Sequence, residues 1–241
     1  MILADSQSRR SSPSFAVTAA EDAARIKALQ QVAFTISAAE FTQLPADSAT
    51  EVAFAGRSNA GKSSAINTIC QRRRLAFVSK EPGRTQLLNL FQVAPGRYLV
   101  DLPGYGYARV PAAIKDRWDA MVGGYLARRS PLKAVVLVVD VRRGLGELDR
   151  RLAEWLPPGA VDLHVLLAKS DKLSRSEASA VLRATRAELT KHPGSGTAQL
   201  FSSLSGEGAA EARARLCGWL DLAAGKTEAP ELGNAEAPKA P

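Results

Sequence analysis

The run Glu51-Val-Ala-Phe-Ala-Gly56-Arg-Ser-Asn-Ala-Gly61-Lys62-Ser63-Ser64 decides the fold class. Its first five residues read as a short buried strand, the next eight match the spacing G-x-x-x-x-G-K-S, and Lys62 to Arg72 reads as a helix. Strand, glycine-rich turn and helix in that order make a phosphate-binding loop. Backbone N–H groups curl around phosphate oxygens, glycine permits the curl, and the helix N-terminus adds partial positive charge. Gly56, Arg57, Ser58, Asn59, Ala60, Gly61, Lys62 and Ser63 are therefore expected to hold nucleotide phosphates. In this pattern Lys62 neutralises β and γ charge, and the Ser63 hydroxyl binds Mg²⁺.

Outward from the loop, short apolar runs alternate with helical patterns, which predicts an α/β domain with a mostly parallel sheet and helices on both faces. Leu87 to Val93 and Arg97 to Asp101 are strand-like runs separated only by Ala94-Pro95-Gly96. Three residues are too few for a crossover, so this pair is expected to be an antiparallel hairpin in an otherwise parallel, hence mixed, sheet. Ala134 to Val139 and Leu163 to Ala168 are continuously apolar, as central strands covered on both faces should be. Helices are expected over Glu21–Gln31, Ala112–Arg128 after Pro111, Glu147–Leu156 before Pro157-Pro158, and Glu207–Leu222. Another opens at Ser174-Arg-Ser-Glu177, which has capping-box spacing, and runs to about Thr190. Val32 to Ile36 and Ala198 to Ser202 complete the strands. Residues 225–241 hold almost no bulky apolar side chain and read as a disordered tail; residues 1–20 read as a flexible leader to a single domain over 21–224.

Three further motifs each end a predicted strand. Asp101-Leu102-Pro103-Gly104 offers an acid that could hold a metal through water and a glycine N–H that could meet a γ-phosphate. Ala168-Lys169-Ser170-Asp171 places a carboxylate where it could accept two hydrogen bonds from the guanine N1–H and exocyclic amine, a donor pair that adenine lacks. Ser202-Ser203-Leu204 could offer a backbone N–H to the guanine O6. Their placement at strand tips is what a nucleotide site at the mouth of a doubly wound sheet requires.

The 241 residues carry a formal charge of +8 with 46% apolar side chains, enough for one full core and favouring an acidic partner such as nucleic acid. Much of the excess lies in Arg72-Arg73-Arg74, Arg128-Arg129, Arg142-Arg143 and Arg150-Arg151. No apolar run approaches the roughly 18 to 20 residues of a membrane span, and Met1 to Phe15 has no signal-peptide core, so no membrane contact and a cytoplasmic location are expected. A monomer is the separate expectation for oligomeric state. Cys70, Cys217, Trp118, Trp155 and Trp219 read as packing residues, and neither His164 nor His192 as catalytic. Tyr105 and Tyr107, set among glycines, are candidates for touching RNA or a partner, with packing as the other reading.

Gly56 to Ser64, Pro82-Gly83-Arg84-Thr85-Gln86, Asp101-Leu-Pro-Gly-Tyr-Gly-Tyr-Ala108 and Phe201-Ser-Ser-Leu204 together resemble the EngB (YihA/YsxC) family of bacterial ribosome-biogenesis GTPases, over roughly Phe34 to Leu222. The resemblance implies a Ras-like fold, GTP and GDP as ligands, Mg²⁺ as cofactor, and ribosomal RNA or a large-subunit precursor as partner. It also implies a need in cell division and septation. It makes Thr85 the switch threonine that joins Ser63 on Mg²⁺, and Gly83, Arg84, Thr85, Gln86 and Leu87 the segment that orders around GTP. Lys62, Thr85, Gly104 and Asn59 are then the expected catalytic set, with Asn59 as a ligand for K⁺, a possible second cofactor. Two positions depart from the family pattern. Ala168 stands where threonine is usual, which removes a hydroxyl that would brace the base loop and predicts weaker nucleotide binding. Ser205-Gly206 replaces a common lysine. Tyr105 follows Gly104 where Ras has a water-orienting glutamine, so slow intrinsic hydrolysis is expected. An ATP-using P-loop protein and a nucleotide-holding scaffold for division proteins remain as other readings.

Overall fold

The computed structural model describes residues 17–76, 87–106, 116, 118–191, 194 and 196–222. Helix α1 (Ala19–Gln30) starts two residues before the expected Glu21 because Thr18 caps it: its hydroxyl accepts the Glu21 N–H, and the Glu21 carboxylate accepts the Thr18 N–H. Strand β1 (Ala33–Ala38) leads to β2 (Thr50–Gly56), the strand that feeds the glycine-rich turn, and α2 (Lys62–Ile69) follows that turn. The expected extension of α2 to Arg72 does not form. Gln71 turns the chain with φ 48°, the Asn67 amide clamps the Ala76 N–H and C=O at 2.9 and 3.0 Å, and Arg72 reaches the Gln30 and Val32 carbonyls.

Strands β3 (Leu88–Ala94) and β4 (Arg97–Asp101) form the antiparallel hairpin that the three-residue connection demanded. A π-helical turn, Asp119–Gly123, precedes α3 (Gly124–Arg128), where a regular helix was expected; the adjacent Gly123-Gly124 lowers helical preference there. The chain then alternates β5 (Leu132–Asp140), α4 (Glu147–Glu154), β6 (Asp162–Ala168), α5 (Arg175–Leu189), β7 (Gly196–Phe201) and α6 (Ala209–Trp219). Ser174 caps α5 through the predicted box with Glu177.

The seven strands lie in the order β1-β3-β4-β2-β5-β6-β7, and only β3 runs against its neighbours. After β2 the chain first builds to one side and then crosses to β5 on the other, so the strand order reverses around β2 and its tip opens a crevice. Alternate residues of β5 enter opposite cores: Val135, Leu137 and Val139 face Tyr125, Leu126 and Leu152, whereas Ala134, Val136 and Val138 face α2 and α6. Two-sided burial explains the unbroken apolar runs, because neither face meets water.

At the other end of β2, Glu51 is fully buried and accepts hydrogen bonds from Tyr125 at 2.6 Å, Ser48 at 2.7 Å and Arg129 at 2.5 Å. Burial and the adjoining carboxylate push the Tyr125 phenol well above its ordinary pKa. One arginine of the Arg128-Arg129 pair is thus consumed inside the protein. Asp22 and Arg213 likewise tie α1 to α6 at 2.6 Å. Cys70 and Cys217 are buried free thiols, as packing residues should be.

Candidate nucleotide-binding site

The glycine-rich turn needs glycine at two places for separate reasons. A Cβ on Gly56 would lie 2.6 Å from the Val138 carbonyl oxygen of β5, so only glycine lets the two strands close. Gly61 sits at φ 111°, a conformation side chains rarely adopt, immediately before α2. Ala60 N–H bonds to the Arg57 carbonyl at 3.0 Å, which closes the turn, and Lys62 and Ser63 occupy the first two positions of α2. Asn59, exposed at the turn's crest, has φ 63°.

Lys62 Nζ donates to the carboxylate of Asp101, the last residue of β4, and both side chains are almost wholly buried. Leu102 N–H then bonds to Phe54 O at 3.0 Å, and Ser58 N–H to Tyr105 O at 2.8 Å, so the start of the Asp101–Gly104 motif rides on the edge of β2 and its turn. Gly104 lies against Ser58, where an added Cβ would come within 3.5 Å of the Ser58 backbone.

Neighbours on both sides of Gly104 are held. The Pro103 carbonyl accepts Trp118 Nε1–H at 3.0 Å, and the Tyr105 hydroxyl donates to the buried carboxylate of Asp149. Asp149, third in α4, also accepts the Gly146 N–H at 2.8 Å. Trp118 packs between Tyr105 and Trp155, with ring centroids 5.4 and 5.8 Å away. Burial, and then the Asp149 charge, push the Tyr105 phenol far above its usual range. Tyr105 is 5% exposed, which corrects its expected contact with RNA: the ring is spent on the core. Tyr107 lies outside the described residues.

At the opposite end of the crevice, Lys169 takes φ 63° and sends its ammonium to Asn59 O at 2.6 Å and to Asp140 at 3.1 Å, bridging the base loop and the phosphate loop. Ser170 Oγ donates to Glu207 at 2.5 Å. The Ser202 hydroxyl donates to Asp171 Oδ1 at 2.6 Å while accepting the N–H groups of Leu204 and Ser205, each at 3.2 Å. That bond, with Lys172 beside it, holds the Asp171 carboxyl below the usual pKa. The Ser202 N–H is itself bonded to Glu207 O at 3.0 Å and the Leu204 N–H to Ser202 Oγ, which leaves Ser203 as the backbone donor of the Ser202-Ser203-Leu204 motif without an internal partner among the described residues.

Ala168 is 3% exposed, pairs with Asp140 and Phe201, and packs in the apolar core. No hydroxyl can brace the loop from there. The bracing comes from Ser202, which the linear sequence does not announce because it lies 31 residues from Asp171. Asp149 carried no local signal either, standing 44 residues from Tyr105. Asp140 did carry one: an acid ending a long apolar strand.

Described residues of the expected set therefore gather at the tips of β2, β4, β6 and β7. Gly83, Arg84, Thr85 and Gln86 lie outside the described residues, as does His192; Leu87 immediately precedes β3. His164 stays out of the site: its ring nitrogens meet Thr197 at 2.7 Å and Gln199 at 3.0 Å, and burial pushes its pKa down to about 3.

Residues 51–169 match the family model described as a 50S ribosome-binding GTPase. Among relatives, the probable GTP-binding protein EngB of Dechloromonas aromatica (strain RCB) is 50% identical over 195 residues, 80% of this chain and 89% of the relative. Its counterpart in Azoarcus sp. (strain BH72) is 52% identical over 198 residues, 82% and 95% of the two chains. A crystal structure of a probable GTP-binding protein engB superposes with a TM-score of 0.53 at 22% identity, covering 71% of this chain and 99% of that one. The seven-stranded sheet is thus the Ras-like P-loop GTPase fold, and the chain belongs to the EngB family of GTP-binding proteins and is a GTPase.

Proposed function

We propose that this chain is a slow GTP-hydrolysing switch that acts in assembly of the large ribosomal subunit, binding ribosomal RNA or a precursor particle in the cytoplasm. The observation that carries the reading is the meeting of Lys62, Asp101 and Lys169 around one glycine-rich turn, with Asp171 at the next strand tip. The family description as a ribosome-binding GTPase supports the partner.

In this reading the phosphate loop and Lys62 hold the β- and γ-phosphates, the Gly104 N–H meets the γ-phosphate, and Asp171 with the Ser203 N–H selects guanine. Hard oxygen donors suit Mg²⁺, and the Ser63 hydroxyl and, through water, Asp101 at the strand tip would supply them, with the Thr85 hydroxyl added. Mg²⁺ neutralises charge that develops on the phosphates. Slow turnover is expected because Tyr105 is turned inward and cannot orient a water. Asn59 stands exposed at the crest, a place from which it could hold K⁺. The family's requirement in division and septation is read as a consequence of ribosome supply.

The test is co-sedimentation of the full chain with large-subunit precursors in the presence of a non-hydrolysable GTP analogue or GDP. Preferential binding of the GTP-like form supports the switch. Equal binding in both states would favour a passive scaffold, and no binding in either would remove the ribosome from the account.

A further inference from the structure

Beside the phosphate loop, with none of Lys62, Ser63 and Asp101 in its lining, lies a cavity of about 170 Å³ walled by Ser58 and Asn59 and by the turn that leaves β5. Four cations line it, Arg57, Arg142, Arg143 and Lys169, against the single carboxylate of Asp140. That carboxylate is already committed. It receives Arg142 at two points, 2.9 and 2.7 Å, and Lys169 at 3.1 Å.

Arg57 and Arg143 have no carboxylate partner among the described residues, in contrast to Arg129, Arg150, Arg151 and Arg213, each matched to a Glu or Asp. The Arg57 guanidinium lies against Gly106 and Gly146, where a Cβ would approach it to 3.0 and 3.3 Å. Gly144 has φ 61° and open space where a side chain would be, so the rim next to Arg143 is unobstructed. A concave site with an excess of three positive charges, two of its guanidiniums without a carboxylate partner among the described residues, is built for a phosphate, since guanidinium offers paired donors to its oxygens.

We propose that this cavity anchors a backbone phosphate of the RNA partner. The proposal rests on the ribosomal RNA reading above and narrows it: Arg143 and Arg57, rather than the arginine pairs in general, carry the contact. The position also gives a route to the nucleotide. Lys169 lines the cavity and grips Asn59 O, and the Arg57 guanidinium lies against Gly106 just beyond the Gly104 motif, so the cavity borders groups at both ends of the GTP crevice.

The experiment measures binding of large-subunit ribosomal RNA to the full chain, loaded with a GTP analogue, over a salt series. It compares the native protein, Arg143→Ala, Arg143→Lys, and Arg183→Ala as a control on α5. GDP binding, measured in parallel, reports that each variant is folded. The native protein should show a steep salt dependence; Arg143→Ala should weaken binding about three- to tenfold and make the log–log salt slope shallower by about one, while Arg143→Lys keeps the slope. If Arg143→Ala behaves like Arg183→Ala, the cavity is not the anchor and the RNA reading stands. If the native protein binds no RNA, or binds it without salt dependence, both fall.

Discussion

The two ends of the nucleotide crevice are held in opposite ways. At the base end, Asp171 is steadied by the Ser202 hydroxyl and Lys172, at a loop that water reaches. At the end proposed to meet the γ-phosphate, Gly104 is fixed from both sides, by the half-buried Trp118 against Pro103 and by the buried Asp149 against Tyr105. A hydrogen bond at an accessible loop can be lost at the cost of the loop alone. A buried carboxylate that satisfies a phenol and a backbone N–H cannot, because its removal strands both donors away from water. The contrast teaches that the Asp171 loop, to which the proposal assigns guanine choice, should be separable from folding in this chain, whereas the geometry around Gly104 should not.

The largest effect should come from Asp149→Ala, which orphans the Tyr105 hydroxyl and the Gly146 N–H; about 2–4 kcal/mol of stability is expected to go, read by denaturant unfolding, with GTP turnover falling as Gly104 loosens. A variant as stable as the native protein would remove the distinction between the two ends. Asp171→Asn should leave the fold intact and lower GTP affinity by about ten- to hundredfold, while raising affinity for xanthosine triphosphate, whose base carries an oxygen where guanine carries the amine. Calorimetry with both nucleotides checks this, and unchanged GTP affinity would remove Asp171 from base choice.

Ser202→Ala should cost about 0.5–1.5 kcal/mol of GTP binding. Its sharper mark is in pH. The Ser202 bond holds the Asp171 carboxyl below its ordinary pKa, so the contribution of the ionised form is present above the unfolded value and is lost as pH falls through the folded one. Without Ser202 that loss should begin at a higher pH; identical acid limbs in the two proteins would show that Ser202 does not set the charge of Asp171. The smallest change is expected from Ala168→Thr. The family resemblance suggests a bracing hydroxyl here, but Ser202 already braces the loop and position 168 packs in the apolar core, so GTP affinity should shift by less than about 1 kcal/mol. A tenfold gain would mean that the base end is under-braced.

Strand positions were legible to within one or two residues because apolar runs covered on both faces have no competing reading, and the Ala94-Pro95-Gly96 connection admitted only a hairpin. Helix ends were less legible. α2 stops at Ile69 because Asn67 and Arg72 catch distant backbone, which no local propensity records. Similarly, the arginine pairs look alike in sequence, yet Arg129 is ion-paired to the buried Glu51 from 78 residues away while Arg143 faces a cavity.

By itself, the sequence determined the phosphate loop: strand, glycines, lysine and helix are contiguous, and each is imposed by backbone geometry within a span of fourteen residues, 51–64. Tertiary structure alone decided which polar groups support it. The pairs Tyr105–Asp149, Ser202–Asp171 and Lys169–Asn59 join residues 44, 31 and 110 positions apart. Such contacts arise only when the sheet brings its strand tips to one edge, because burial and satisfied hydrogen bonding are properties of the assembled layers and not of any segment.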